Sequence, residues 1–253
     1  MDGHPTESFF NLKDKLRRYS SFTAKEWRSI AIVVVAFTVM VAFDDGREVF
    51  SLGPYIQNAV AAFFIIALSI VVHIYAQRAV SLERGIVAEY KGFAIGLLIG
   101  FMVTVLSLGK LYFLAAFGPM FRVMPQHRLG YFRYGLTYWY MTLGSLAGPM
   151  ANLALAFMFK LLEFLPSNPL VQLGITVNVV MAISNMIPIP PLAGTNIIYT
   201  SRGLWAFCLG MFIVAGILLL RAPIVWALLG TLAGGIFTSF VFLRVIEPKV
   251  LKA

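Results

Sequence analysis

His73 stands in a long apolar run, and Gln77 follows it by four residues in the stretch SIVVHIYAQRAV, Ser69 to Val80. On a helix, side chains at i and i+4 are neighbours, so the imidazole and the amide share one face, and Ser69 extends it. Two histidines at that spacing, with a glutamate directly after the first, bind a divalent metal. The glutamate then deprotonates the metal-bound water. Here the five residues read HIYAQ: the first histidine is present, Ile74 occupies the place of the base, and Gln77 that of the second ligand. The plainer alternative is packing, because a glutamine both donates and accepts and can bond His73 or a backbone group. A buried polar group without a partner costs roughly a few kcal/mol, so partners are expected.

The elements that must position these residues are membrane helices. Of the 253 residues, 60% are hydrophobic and 12% charged, which lies outside the range of soluble domains. Several apolar stretches reach the ~20 residues a helix needs to cross a bilayer, and a helix satisfies its own backbone in lipid. The sequence therefore predicts an all-α integral membrane protein with about six transmembrane helices, at 23–43, 55–77, 137–162, 169–187, 204–221 and 223–243. TAKE, Thr23 to Glu26, reads as a capping box that starts the first of them, and Trp27 and Arg28 suit the interface. Residues 1–22 read as a tail, either an amphipathic surface helix or unstructured chain, and residues 247–253 as a second tail, with 23–246 the membrane domain. Gly92, Gly96 and Gly100 fall on one helical face and allow close helix contact. Cys208 is a lone cysteine, which excludes an internal disulfide and a thiolate zinc cluster. The first ~28 residues are polar with no small-residue cleavage site after a short apolar core, so no removable leader is expected.

The formal net charge is +9. The basic residues gather at the ends of apolar runs, where they set orientation and meet anionic lipid, so membrane lipids rather than nucleic acid are the expected partners. Their distribution also decides the ambiguous stretch 92–121. If the N-terminus is cytosolic and this stretch enters and returns, sixteen Lys and Arg residues lie inside and four outside. If it crosses once, the split is eleven to nine. The positive-inside rule prefers the first arrangement. It gives six spans plus a membrane-inserted hairpin near 92–121, in a multi-pass protein of the cell membrane with both termini cytosolic.

Two further stretches follow HIYAQ in order: LAGPMAN, Leu146 to Asn152, and NMIPIPPLAGTN, Asn185 to Asn196. Together with the leading apolar helix and AAFGP before a basic loop, they resemble the site-2 protease family, the M50 intramembrane zinc metalloproteases. The resemblance covers roughly residues 22 to 200. That family's pattern is HExxH on one helix, a GPxxN-like stretch, and NxxPxPPLDG on a later segment whose aspartate is the third zinc ligand. Asn185, Pro188, Pro190, Pro191, Leu192 and Gly194 match. The aspartate position holds Ala193, so the resemblance implies a degenerate site of His73, Ile74, Gln77 and Ala193 with one ligand of three. It also implies a site-2 protease-like fold and a possible binding groove along Asn152, Asn185, Pro188, Pro190, Pro191 and Asn196. The plainer reading of the asparagines, Asn178 included, is hydrogen bonding between helices. The prolines stop a helix and force an extended segment.

Residue supply argues against a rebuilt site. From residue 92 to 246 the one acidic side chain is Glu163, which the topology puts on the opposite side, and the other histidines, His4 and His127, lie in the tail and the basic loop. Catalytic zinc takes three protein ligands and a water, so no catalytic residue and no zinc cofactor are expected. The expected function is that of a pseudoprotease, an adaptor or accessory subunit that binds transmembrane segments or partner membrane proteins. The alternatives are an active intramembrane metalloprotease with atypical ligands and a structural subunit of a larger membrane complex. Buried charges that mark ion pathways are missing from the sequence, which counts against transport.

Overall fold

The computed structural model describes residues 9–43, 52–124, 136–164 and 169–250. Residues 1–8 and 251–253 of the two tails, most of the polar loop after the first span, and most of the basic loop with His127 lie outside the described residues. In chain order the elements are α1 (Phe9–Tyr19), α2 (Ala24–Val41), α3 (Leu52–Glu83), β1 (Ile86–Gly92), α4 (Ala94–Leu106), β2 (Phe117–Val123), α5 (Tyr138–Leu161), α6 (Pro169–Asn185), α7 (Ala193–Thr200), α8 (Arg202–Arg221) and α9 (Ile224–Val241). A π-helical stretch, Phe242–Ile246, prolongs α9.

This is an all-helical membrane protein with one small sheet. Four helices are long and apolar enough to cross a bilayer, namely α3, α5, α8 and Ile224–Ile246. Each of the six expected spans falls on a helix. The two others are α6, a shorter apolar helix, and α2, which carries Lys25, Glu26 and Arg28 in its first turns. Large apolar side chains face outward along the long helices, as lipid contact requires: Phe64 on α3, Ile217 on α8, and Trp226 and Phe237 on α9 are more than half exposed. Inside, one cluster joins α2, α3, α6 and residues 114–117 around the fully buried Phe37, Ile66 and Phe117. A second joins α5 to α9 around Ile175, Met186 and Phe212.

The stretch expected to form a hairpin does double back. Strands β1 and β2 pair antiparallel from Ile86↔Val123 to Gly92↔Phe117, so the chain leaves through α4 and returns beside its point of departure. The strands were not legible in the sequence, which reads 78–91 as a polar connection: its first residues extend α3, and the rest form β1. The glycines also act differently from the expectation. Gly92 ends β1 rather than lying on a helix. Gly96 and Gly100 are buried on α4, where a Cβ would strike the Ala115 carbonyl or lie 2.5 Å from that of Phe113. Both admit the return segment of the same hairpin, and Gly100 also admits the Met40 side chain of the neighbouring helix α2.

A buried ion pair fixes the start of the chain. The Thr23–Glu26 capping box is formed, with the Glu26 amide donating to Thr23 Oγ1 and the Thr23 amide to Glu26 Oε2. The other Glu26 oxygen accepts from Arg78 Nη2 at 2.5 Å and from the Tyr90 amide at 3.1 Å. Arg78 Nη1 donates to the carbonyls of Ser20 and Ser21, and the guanidinium lies 4.0 Å over the Phe22 ring. The predicted tail is therefore in part a docked element: α1 is a helix that packs against the end of α3. Arg78→Ala leaves a largely buried carboxylate unpaired and should cost about 3 kcal/mol. The paired change Arg78→Gln with Glu26→Gln should cost less than Arg78→Ala alone. Thermal unfolding in detergent reads both.

Candidate functional site

Three stretches separated by up to 120 residues of sequence meet at one side chain, Ser145 on α5. Its carbonyl accepts from Gln77 Nε2 of α3 at 3.2 Å. Its hydroxyl accepts from Asn196 Nδ2 of α7 at 2.8 Å. The reason lies four residues on. Pro149 sits inside α5, and a proline has no amide hydrogen, so the carbonyl four residues before it loses its helical donor. That carbonyl is Ser145's, and the Gln77 amide takes the vacant place. Thr142, one turn earlier, donates to the Asn196 carbonyl at 3.0 Å, and its hydroxyl is paired with that of Thr200 at 2.7 Å, which ties α7 to α5 a second time.

His73 lies one turn before Gln77 on α3 and is fully buried. The Phe117 ring meets it edge-on, centroids 5.2 Å apart, and Tyr90 stacks on the far side of Phe117 at 5.3 Å. Burial pushes the Tyr90 phenol up to about 12, so it adds no charge to this cluster at physiological pH. On the α5 side, Gly148 leaves the space that the imidazole fills: a Cβ there would lie 2.5 Å from His73 Cδ2. Asn152, one turn further along α5, is beside the imidazole. Yet neither His73 nitrogen and neither Asn152 amide atom has a well-formed hydrogen bond among the described residues.

The proline segment closes the site from another direction. It runs from the end of α6 to α7, and Ala193 is the first residue of α7, fully buried in the second apolar cluster. Gly118 of β2 abuts the Pro191 carbonyl so closely that no Cβ fits between them. The Met186 carbonyl, past the end of α6, accepts from Trp205 Nε1 at 2.7 Å. The groove residues divide between two environments. Asn152 and Asn185 are fully buried, Pro191 and Asn196 half-buried, and Pro188 and Pro190 exposed. Asn185 Nδ2 donates to the Met181 carbonyl and Asn178 Nδ2 to that of Gly174, so each spends a donor on its own helix.

The donor set at this place does not fit a zinc ion. Of the four positions that the resemblance assigns to it, His73 offers an imidazole, Gln77 an amide engaged by a backbone carbonyl, and the buried Ile74 and Ala193 no donor atom. Three protein ligands are the rule for catalytic zinc. Among the described residues no three His, Cys, Asp or Glu side chains converge. Glu163 pairs with Lys160 beyond the far end of α5, fifteen residues from Gly148 and so about 20 Å along the helix.

Sequence reasoning named His73, Gln77, Asn152, Ala193 and Asn196, quoted Phe117 and Gly118 within AAFGP without giving them a place at the site, and missed Ser145. Ser145 was one residue outside the quoted LAGPMAN. The signal that could have found it was Pro149, since a proline inside a membrane helix always frees the carbonyl four residues back.

No family model matches the sequence, and no solved structure matches it. A protein of Methanocaldococcus jannaschii named "Putative zinc metalloprotease" is 29% identical over 190 residues, covering 73% of this chain and 89% of that protein. The chain is thus similar to a metalloprotease-named protein along most of the membrane domain, which supports a metalloprotease-like family at the coarse level.

The Gln77–Ser145 bond gives a direct test. Gln77→Leu should orphan the Ser145 carbonyl and cost about 1–2 kcal/mol. Adding Pro149→Ala should recover part of that loss, because an amide at 149 can donate to the same carbonyl. Unfolding midpoints of wild type, both single variants and the double variant measure the coupling.

Proposed function

We propose that this protein is a site-2 protease-like membrane protein without protease chemistry, which binds transmembrane segments or partner membrane proteins as an adaptor or accessory subunit. The observation that carries the reading is the Gln77 side chain. At the position of a second metal ligand it bonds the backbone of α5, in a site whose third ligand position is the buried methyl of Ala193. What remains is the scaffold: the α3–α5 contact, the hairpin strands, and the exposed Pro188 and Pro190 that interrupt the helical surface beside β2. The proline-broken segment folds as a series of turns rather than the expected extended chain, and an exposed helix break next to a strand pair offers a place for a segment of another membrane protein. Both termini are placed in the cytosol, because sixteen of the twenty Lys and Arg residues then lie on that side, and the chain in the cell membrane.

A second reading, an active metalloprotease with atypical ligands, is favoured by the printed name of the relative. Metal analysis of protein purified without chelators separates the two. The expected zinc content is below one tenth per chain and is unchanged in His73→Ala. Stoichiometric zinc that disappears in His73→Ala would establish the second reading. Orientation has its own readout: a fluorescent protein fused after Ala253 should fluoresce, and a periplasm-dependent phosphatase fused there should be inactive.

A further inference from the structure

An open cleft of about 880 Å³ lies between α1–α2 and β1–α4, away from His73. Its two halves differ in chemistry. The outer half carries Arg18, Lys25, Lys91 and Arg122, and the inner half is walled by Ile32 and Val33 of α2 and by Ala94 and Leu97 of α4. Around the whole cleft, five basic side chains face two acidic ones. The two acids are already engaged, Glu26 by Arg78 and Glu89 by Arg122, and Arg18 is paired with Asp14. Lys25 and Lys91 are exposed and have no acidic partner among the described residues. Excess positive charge at the polar end of a cleft whose other end is apolar is complementary to an anionic amphiphile.

The position along the membrane agrees. Lys25 is in the first turn of α2, beside the exposed Trp27 and Arg28. Such residues sit at headgroup level, and the apolar residues that follow on α2 point towards the bilayer interior. Ile32 is about half exposed and borders the cleft from its lipid side. An acyl chain lying between α2 and α4 would be in hydrocarbon while its headgroup met the lysines. The volume is that of a ligand site.

An extended peptide is the competing occupant, because β1 has an unpaired edge. That edge is obstructed at its centre, where the Tyr90 amide donates to the Glu26 carboxylate, and strand addition would have to break this bond inside the buried ion pair. The charge and the apolar wall therefore favour lipid over peptide. We propose that this cleft binds a single phospholipid with an anionic headgroup, its phosphate held by Lys25 and Lys91 and its chains lying along Ile32 and Leu97.

The test uses the full chain purified in a neutral detergent, incubated with equal amounts of phosphatidylglycerol and phosphatidylcholine of the same chain length, and read by native mass spectrometry. One phosphatidylglycerol per chain should be retained, at least tenfold in excess over phosphatidylcholine. Lys25→Gln with Lys91→Gln should lower that excess about tenfold, and Leu97→Trp, which fills the apolar half, should lower total lipid retention. Lys13→Gln with Arg17→Gln removes the same charge from the exposed face of α1 outside the cleft and should leave the preference unchanged. Equal retention of the two lipids would overturn the proposal, as would an equal loss in the Lys13/Arg17 variant, which would mean diffuse surface charge. Displacement of the lipid by millimolar glycerol 3-phosphate would also overturn it, by showing a soluble-anion site. All variants alter side chains at or near the surface. Unchanged unfolding midpoints are part of the reading, and a folded cleft variant that keeps full phosphatidylglycerol retention counts against it.

Discussion

The Ser145 carbonyl has no donor at position 149 of its own helix, because a proline has no amide hydrogen to supply. Every backbone polar group at that depth must be satisfied by protein. Gln77 meets this need from α3, and the same requirement organises much else in the molecule. Arg78 satisfies the carbonyls of Ser20 and Ser21 where α1 has ended and α2 has not begun. Glu26 accepts from the amides of Thr23 and Tyr90. Trp205 takes the Met186 carbonyl past the end of α6, and Ser184 Oγ takes the Leu114 amide on the hairpin's return. At several places where the backbone leaves regular structure, a side chain from a distant part of the sequence completes it. Those side chains are the long-range ties of the fold.

The same logic explains how the elements around His73 are held together by protein groups alone. In the family that the sequence resembles, the metal would join α3 to the segment after α6. Here α3 is joined to α5 through Gln77, α5 to α7 through Asn196 and Thr142, and β2 to the proline segment through the Gly118–Pro191 contact. Small residues make these approaches possible. Gly148 gives the His73 ring its place against α5, and Gly118 lets two backbones touch. Between helices in lipid there is little hydrophobic driving force, so close packing and hydrogen bonds supply the attraction.

Like Ser81 and Thr195, His73 and Asn152 are among the buried side chains that depart from the rule of satisfaction. Both are fully buried and lie side by side, and each is short of partners among the described residues. Natural proteins break local rules at functional places more than elsewhere. Two underused polar side chains lie side by side where the resemblance places the metal. The N-terminal end of the molecule is arranged differently. There the buried Glu26–Arg78 pair docks the N-terminal helix and leaves beside it a cleft with basic and apolar halves.

The sequence alone determined the class of protein, because apolar runs of bilayer length admit few structures. It also determined the N-cap of α2, since a Thr with a Glu three residues on closes locally, and the residue types Ile74, Gln77 and Ala193, whose donor atoms can be counted without any fold. The doubling back of 92–121 was legible because positive charge prefers one side of a membrane. Tertiary structure decided the rest. Whether 86–92 would be strand or loop depended on 117–123 being brought alongside, and such pairing leaves little local trace. The use of Gly96 and Gly100 depended on what packed against them, and glycine spacing says only that something can. The role of Gln77 depended on Pro149, 72 positions away: the proline sets which carbonyl is free, but only the packing of α3 on α5 sets which side chain reaches it.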